Sequence, residues 1–172
     1  MFADKNDSIA VLQLLQIIVP MPDRVTETSV QEVIQEADEH DLPLMWAVYR
    51  LLKDEAVYAV EWKDIFELVQ QLRTVAAHWQ ADILFGVRDS DEEMEASIYD
   101  FPSTVLLRQA AYELQTYGLT LWRWQADNPD LCIGFISRTE DEDLLLRCAM
   151  KINARFIAVT DDEALSEDED FL

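Results

Sequence analysis

The chain has 172 residues, 50% hydrophobic and 10% aromatic, enough apolar material for one packed domain and too much for a chain disordered throughout. Thirty-five acids face 13 Lys and Arg, a formal net charge of −22. Such a surface has no basic stripe to displace the counterions of a phosphate chain or an anionic lipid, so direct nucleic-acid and membrane binding are not expected, whereas a basic protein partner is.

The first 54 residues read as helical. Leu12, Leu15, Ile18 and Val19 recur at helical spacing, and Pro20-Met21-Pro22 ends that segment by removing backbone donors. Ser29 followed by Glu32 has the form of a capping box opening a helix with Val30, Val33, Ile34 and Ala37 on one side. A third helix near 44–53 presents Leu44, Ala47, Val48, Leu51 and Leu52. The period then changes. Val57 to Trp62 is short and β-rich, Asp64 to Gln80 is amphipathic at helical spacing, and Ile83 to Val87 reads as a second strand, giving a β-α-β unit. After the acidic loop Asp89 to Glu95, a helix starts at Ser103 or Thr104 and ends at Gly118, placed for a left-handed cap. Leu119 to Gln125 and Leu131 to Ser137 read as an antiparallel strand pair joined by the turn Asn128-Pro129-Asp130. Thr139 with Glu142 suggests another capping box and helix, and Arg155 to Thr160 a last strand. Residues 161–172 hold seven acids and no base, the composition of a solvated tail.

The expected fold class is α+β. An N-terminal helical segment (1–54) packs on a ferredoxin-like, split β-α-β mixed sheet (55–160), and an acidic tail follows (161–172). The similar strand-helix-strand layouts of 57–87 and 131–159 are compatible with an internal duplication.

The stretch Asp100-Phe101-Pro102-Ser103, the helix after it, Tyr117-Gly118 entering a strand, Trp122 to Ile136, and the helix ending Cys148-Ala149-Met150-Lys151-Ile152-Asn153 resemble the regulator of ribonuclease activity B family. The acidic end Ser166 to Phe171 is similar too. The resemblance covers roughly the last 75 to 80 residues and is carried by layout. It departs at Arg155 to Val159, where that family ends its strand in an aromatic-rich segment. It implies a small acidic regulator that binds a protein of RNA turnover.

The residues offer little chemistry. Neither His40 nor His78 has a nucleophile motif beside it, and each suits a helix C-terminus, where a cation complements the dipole. Three glycines leave no phosphate-cradling loop. Asp89, Asp91, Glu92, Glu93 and Glu95 are dense enough for a divalent cation but lack the EF-hand spacing, and Glu140 to Asp143 suit the first turn of a helix. Cys132 and Cys148 read as small core fillers. No catalytic residue, cofactor or metal is expected. On one strand Tyr58 and Trp62 share a face, and on another Trp122 and Trp124 do; if the two faces coincide, the sheet carries a row of large rings, either covered by the N-terminal helices or used for a partner. The partner-binding candidates are therefore Asp89, Asp91, Glu92, Glu93, Glu95, Tyr58, Trp62, Trp122 and Trp124. The expected function is a non-enzymatic, cytoplasmic binding or regulatory protein acting on a ribonuclease or another basic protein. The alternatives are a nucleic-acid mimic or immunity protein against a nuclease or toxin, and a small-molecule-binding domain or enzyme.

Overall fold

The computed structural model describes residues 5–53, 55–87 and 92–159. Three helices come first. Helix α1 (Lys5–Ile18) buries Val11, Leu14, Leu15 and Ile18 along one stripe. Helix α2 (Glu27–His40) is capped by a reciprocal pair: the Thr26 hydroxyl accepts from the Ser29 amide at 3.3 Å, and the Ser29 hydroxyl accepts from the Thr26 amide at 3.2 Å. The capping box therefore sits three residues earlier than the Ser29–Glu32 pair expected from sequence, because Thr26 is extended and its amide is free to be bonded. Helix α3 (Leu44–Leu52) follows Pro43, which presets the helical entry.

The sheet has four strands, β1 (Val57–Glu61), β2 (Leu119–Trp124), β3 (Leu131–Arg138) and β4 (Phe156–Ala158), in the spatial order β1-β3-β2-β4. Every strand pair is antiparallel, so the sheet expected as mixed is antiparallel throughout. Helix α4 (Ile65–His78), the short α5 (Glu92–Ser97) and α6 (Ser103–Gln115) connect β1 to β2, and α7 (Glu142–Lys151) connects β3 to β4.

Both connections are split β-α-β units, with β3 lying between β1 and β2, and β2 between β3 and β4. Each steps in the same lateral direction, yet β3 and β4 run opposite to β1 and β2. Crossovers that share a hand must then place their helices on opposite faces of the sheet. They do so: α4 and α6 build one core with Tyr58, Val60, Leu121, Cys132 and Ile136, and α7 joins α1, α2 and α3 over Val57, Trp122, Phe135 and Phe156. The first and last helices lie side by side, and the Cys148 thiol contacts the Gln13 side chain at 3.7 Å.

Residues 83–87, expected as a strand, form a loop. Phe85 and Gly86 both take positive φ, 52° and 81°, which breaks any extended ladder. The Glu113 carboxylate of α6 replaces the missing strand partner, accepting from the Leu84 amide at 2.7 Å and the Gly86 amide at 3.2 Å. Arg73 holds the same loop through the Ile83 carbonyl at 3.1 Å. The duplication suggested by sequence loses its matching second strand here. The Thr139–Glu142 capping box is also absent: residues Thr139–Asp141 form a 3-10 turn, and the Thr139 hydroxyl pairs with that of Thr120 at 2.9 Å. Gly118 is left-handed as expected, with φ 71°.

Two side chains seal the β1 side of the sheet. Gln71 of α4, buried, accepts from the Ala59 amide at 2.7 Å and so satisfies a donor on the outer edge of β1. Tyr58 lies across β3 at Gly134 and donates its hydroxyl to the Trp122 carbonyl at 2.7 Å. Burial pushes that hydroxyl's pKa well above the ordinary value of 10.0; the neighbouring Cys132 adds to the rise and Arg123 opposes it. A raised pKa in the folded state means the neutral form is favoured, so this stabilisation is complete below about pH 10 and is lost as pH climbs towards the folded value. The denaturant midpoint should therefore fall as pH rises beyond about 10, and the fall should be shallower in Tyr58→Phe. Parallel slopes for the two proteins would show that Tyr58 does not govern alkaline unfolding.

Candidate functional site

The register of the sheet settles where the predicted aromatics go. Phe135 pairs with Val57 on one side and Trp122 on the other, so Trp122 shares its face with Val57; Gly134 pairs with Tyr58 and Arg123, which share the opposite face. The faces carrying Tyr58 and Trp122 do not coincide. Tyr58 is 0% exposed in the α4–α6 core, while Trp122 at 1% and Trp124 at 7% lie in the core under the N-terminal helices. These three rings are core side chains, and no open aromatic row runs along the sheet. The apolar stripes of α1, α2 and α3 had to be buried, and the Trp122 face is what they cover.

Trp62 is different. It lies half-buried just beyond β1, with the Arg123 guanidinium 5.0 Å from its ring centroid. From there a surface can be followed along α4. Glu95 of α5 forms an ion pair with Arg73, Tyr99 stacks on Phe66 with centroids 5.5 Å apart, and the Ser103 hydroxyl donates to the Trp62 carbonyl. Residues 92–103 thus run back along α4 from its second half to its start. The result is an aromatic patch of Trp62, Phe66 and Tyr99, with Phe66 60% exposed. Phe101, 48% exposed, follows Tyr99 closely in the chain. Exposed acids stand on the same elements: Asp64 and Glu67 at the start of α4, Glu92 and Glu93 at the start of α5, and Asp100 next to Tyr99 in the chain. An exposed Phe66 ring against the half-buried Tyr99, on elements that carry exposed carboxylates, offers an apolar anchor and a negative field to the same partner.

Residues 10–160 match a family described as a domain of unknown function, DUF6630. The chain belongs to the DUF6630 family. No curated protein and no solved structure gives a significant match. The DUF6630 match begins within α1 and runs through β4, so it takes in the N-terminal helices as well as the sheet, and the Phe66–Tyr99 face lies inside it.

Within this DUF6630 domain the predicted acidic residues divide. Glu92, Glu93 and Glu95 stand on α5, and Glu95 is held by Arg73; Asp89 and Asp91 lie outside the described residues, as does the acidic tail. Among the described residues a metal could reach one group, the half-buried Glu36 with the exposed Glu39 and His40 at the end of α2, but Glu36 is already paired with Arg50 at 3.3 Å and His40 at 3.5 Å. His78 closes α4. Cys132 and Cys148 are buried free thiols, and burial pushes the Cys148 thiol pKa upward, away from reactivity. Among the described residues, no helix is long and apolar enough to cross a membrane.

Sequence reasoning found the acids and Trp62 but missed Phe66 and Tyr99. Phe66 adjoins Ile65 at the start of an amphipathic helix and reads as one more apolar residue. A signal was present: Phe66 lies off the stripe of Leu68, Leu72, Val75 and Ala76 that α4 buries.

Proposed function

We propose that this DUF6630 protein is a non-enzymatic, cytoplasmic regulator that docks a basic protein on the face formed by Trp62, Phe66, Tyr99 and the acids of α5. The observation that carries this reading is the exposed Phe66 ring stacked on the half-buried Tyr99, on elements that also carry the exposed acids Asp64, Glu67, Glu92, Glu93 and Asp100. The net charge of −22 supports it by attracting cationic surfaces and repelling nucleic acid. The resemblance to the regulator of ribonuclease activity B family makes a ribonuclease the class of partner to try first. The β-α-β-β-α-β order along the chain is that of a ferredoxin-like sheet, while the spatial order β1-β3-β2-β4 and the helices on both faces set this sheet apart from it.

The test uses purified basic ribonucleases immobilised at about 0.05 M and 0.5 M salt, with the full chain in solution. Expected is capture at low salt that fades at high salt, with Phe66→Ala weakening it about tenfold or more and Glu92→Lys/Glu93→Lys weakening it further. Because Phe66 is exposed, its truncation should leave the thermal midpoint unchanged. Capture that ignores both the salt and these substitutions, or no capture at all, would overturn the proposal.

A further inference from the structure

On the other side of the sheet lies a cleft of about 510 Å³, between the end of α2, the start of α3, the end of β2 and the end of α7. Trp46 and Trp124 meet edge to face along it, ring centroids 4.7 Å apart. Its size is that of a small-molecule site, and its lining combines the Trp46–Trp124 pair with polar and charged side chains in nearly equal measure.

The charges around it are arranged by sign. Asp38 and Asp41 stand on the α2 side; Lys151 and Arg155 stand on the side formed by the end of α7 and the entry to β4, with Asp127 near them. All five of these charged side chains are exposed to solvent, and none makes a hydrogen bond or ion pair with a described residue, so each is open to a ligand entering the cleft. The α2 acids are also ill placed for the helix itself. Asp38 lies in the last turn and Asp41 is the C-cap, in a left-handed conformation with φ 51°, where the helix dipole is negative and a carboxylate is disfavoured. Helix chemistry accounts for Lys151 at the end of α7, and the left-handed backbone at 41 is one that aspartate tolerates, but neither explains the carboxylate of Asp38.

We propose that this cleft binds a small zwitterion with an apolar body, an amino acid or a short peptide. Its ammonium is taken by Asp38 and Asp41, its carboxylate by Lys151 and Arg155, and its side chain lies against Trp46 and Trp124. Both ion pairs form beside an apolar floor, where they are less screened than on open surface. The site is independent of the Phe66–Tyr99 face and stands or falls separately from it.

L-leucine and L-leucyl-L-leucine are suitable probes because neither fluoresces, leaving tryptophan emission to report binding. Titration of the full chain with each, followed by emission and by calorimetry, should give a saturable change for one or both, and the two probes distinguish amino acid from peptide. N-acetylation and C-terminal amidation of the better probe should each weaken it about tenfold or more. In Lys151→Met/Arg155→Met the free probe and its amide should bind alike; in Asp38→Asn/Asp41→Asn the free probe and its N-acetyl form should bind alike. Trp46→Leu should remove most of the emission change. All these side chains border a surface cleft, and circular dichroism of each variant confirms folding. No saturable binding of either probe, or equal binding of free and blocked forms to the unmodified chain, would overturn the assignment.

Discussion

Gly134→Ala should fail to give a folded protein, although it adds a single methyl group. A Cβ at this position would stand 1.9 Å from the Trp122 carbonyl oxygen and 2.3 Å from the Tyr58 hydroxyl oxygen. The first contact is with backbone in the neighbouring strand, so no side-chain rotation relieves it, and either β2 must separate from β3 or the sheet must buckle. A loss of more than about 4 kcal/mol is expected, large enough to abolish the native state of a domain of ordinary stability. The companion Tyr58→Ala/Gly134→Ala removes the second clash and keeps the first, so it should not rescue folding. Gly118→Ala is the control: its Cβ would meet nothing within 4 Å, and only the positive φ of 71° opposes it, a cost of about 1 kcal/mol. Chemical denaturation of the three variants would check this; a Gly134→Ala protein as stable as Gly118→Ala would contradict the packing of Tyr58 across β3.

Trp122→Ala should lower stability by about 3–5 kcal/mol, roughly 10 °C or more in thermal midpoint. Trp122 is among the largest fully buried side chains, and its indole donates to the Ser137 hydroxyl at 2.8 Å, itself entirely buried. Truncation would open a cavity between the sheet and the N-terminal helices and remove a buried hydrogen bond at once. Trp62→Ala should cost far less, about 1–2 kcal/mol, since Trp62 is half-buried and gives up mainly its contact with Arg123. The contrast separates core from surface among rings that look alike in the sequence. Equal losses for the two variants, measured by calorimetry, would argue that Trp122 is not enclosed by α1, α2 and α3.

The strands and helices that the sequence located are those whose pattern is local. The stripes of α1, α3, α4 and α6, and the runs of β1, β2 and β3, are set by neighbours within a few residues. The errors were long-range. Ile83 to Val87 has a strand's composition, but the Glu113 carboxylate, 27 residues from Gly86, bonds its amides instead. The shared face of Tyr58 and Trp122 depended on a register fixed only by Phe135 and Gly134, and a shift of one residue exchanges the two faces. Of the candidate surface, Trp62, Glu92, Glu93 and Glu95 were legible as residue types. Their meeting with Phe66 and Tyr99 required residues 92–103 to double back along α4, which no spacing announces. Likewise Lys151 and Arg155 could be read only as scattered cations until α7 brought them opposite Asp38 and Asp41.

The pairing of the first and last helices bears on how the chain is made. The Gln13–Cys148 contact joins positions 135 residues apart in sequence. During synthesis the side of α1 that faces α7 stays uncovered by it until residues 142–151 have been made. Closure over such a separation carries a large loop entropy, favouring late docking of α1 onto an assembled sheet over early growth from the amino terminus. A nascent chain halted before α7 would leave α1 covered only by earlier elements such as α2 and β3, with part of its apolar surface open to capture by chaperones.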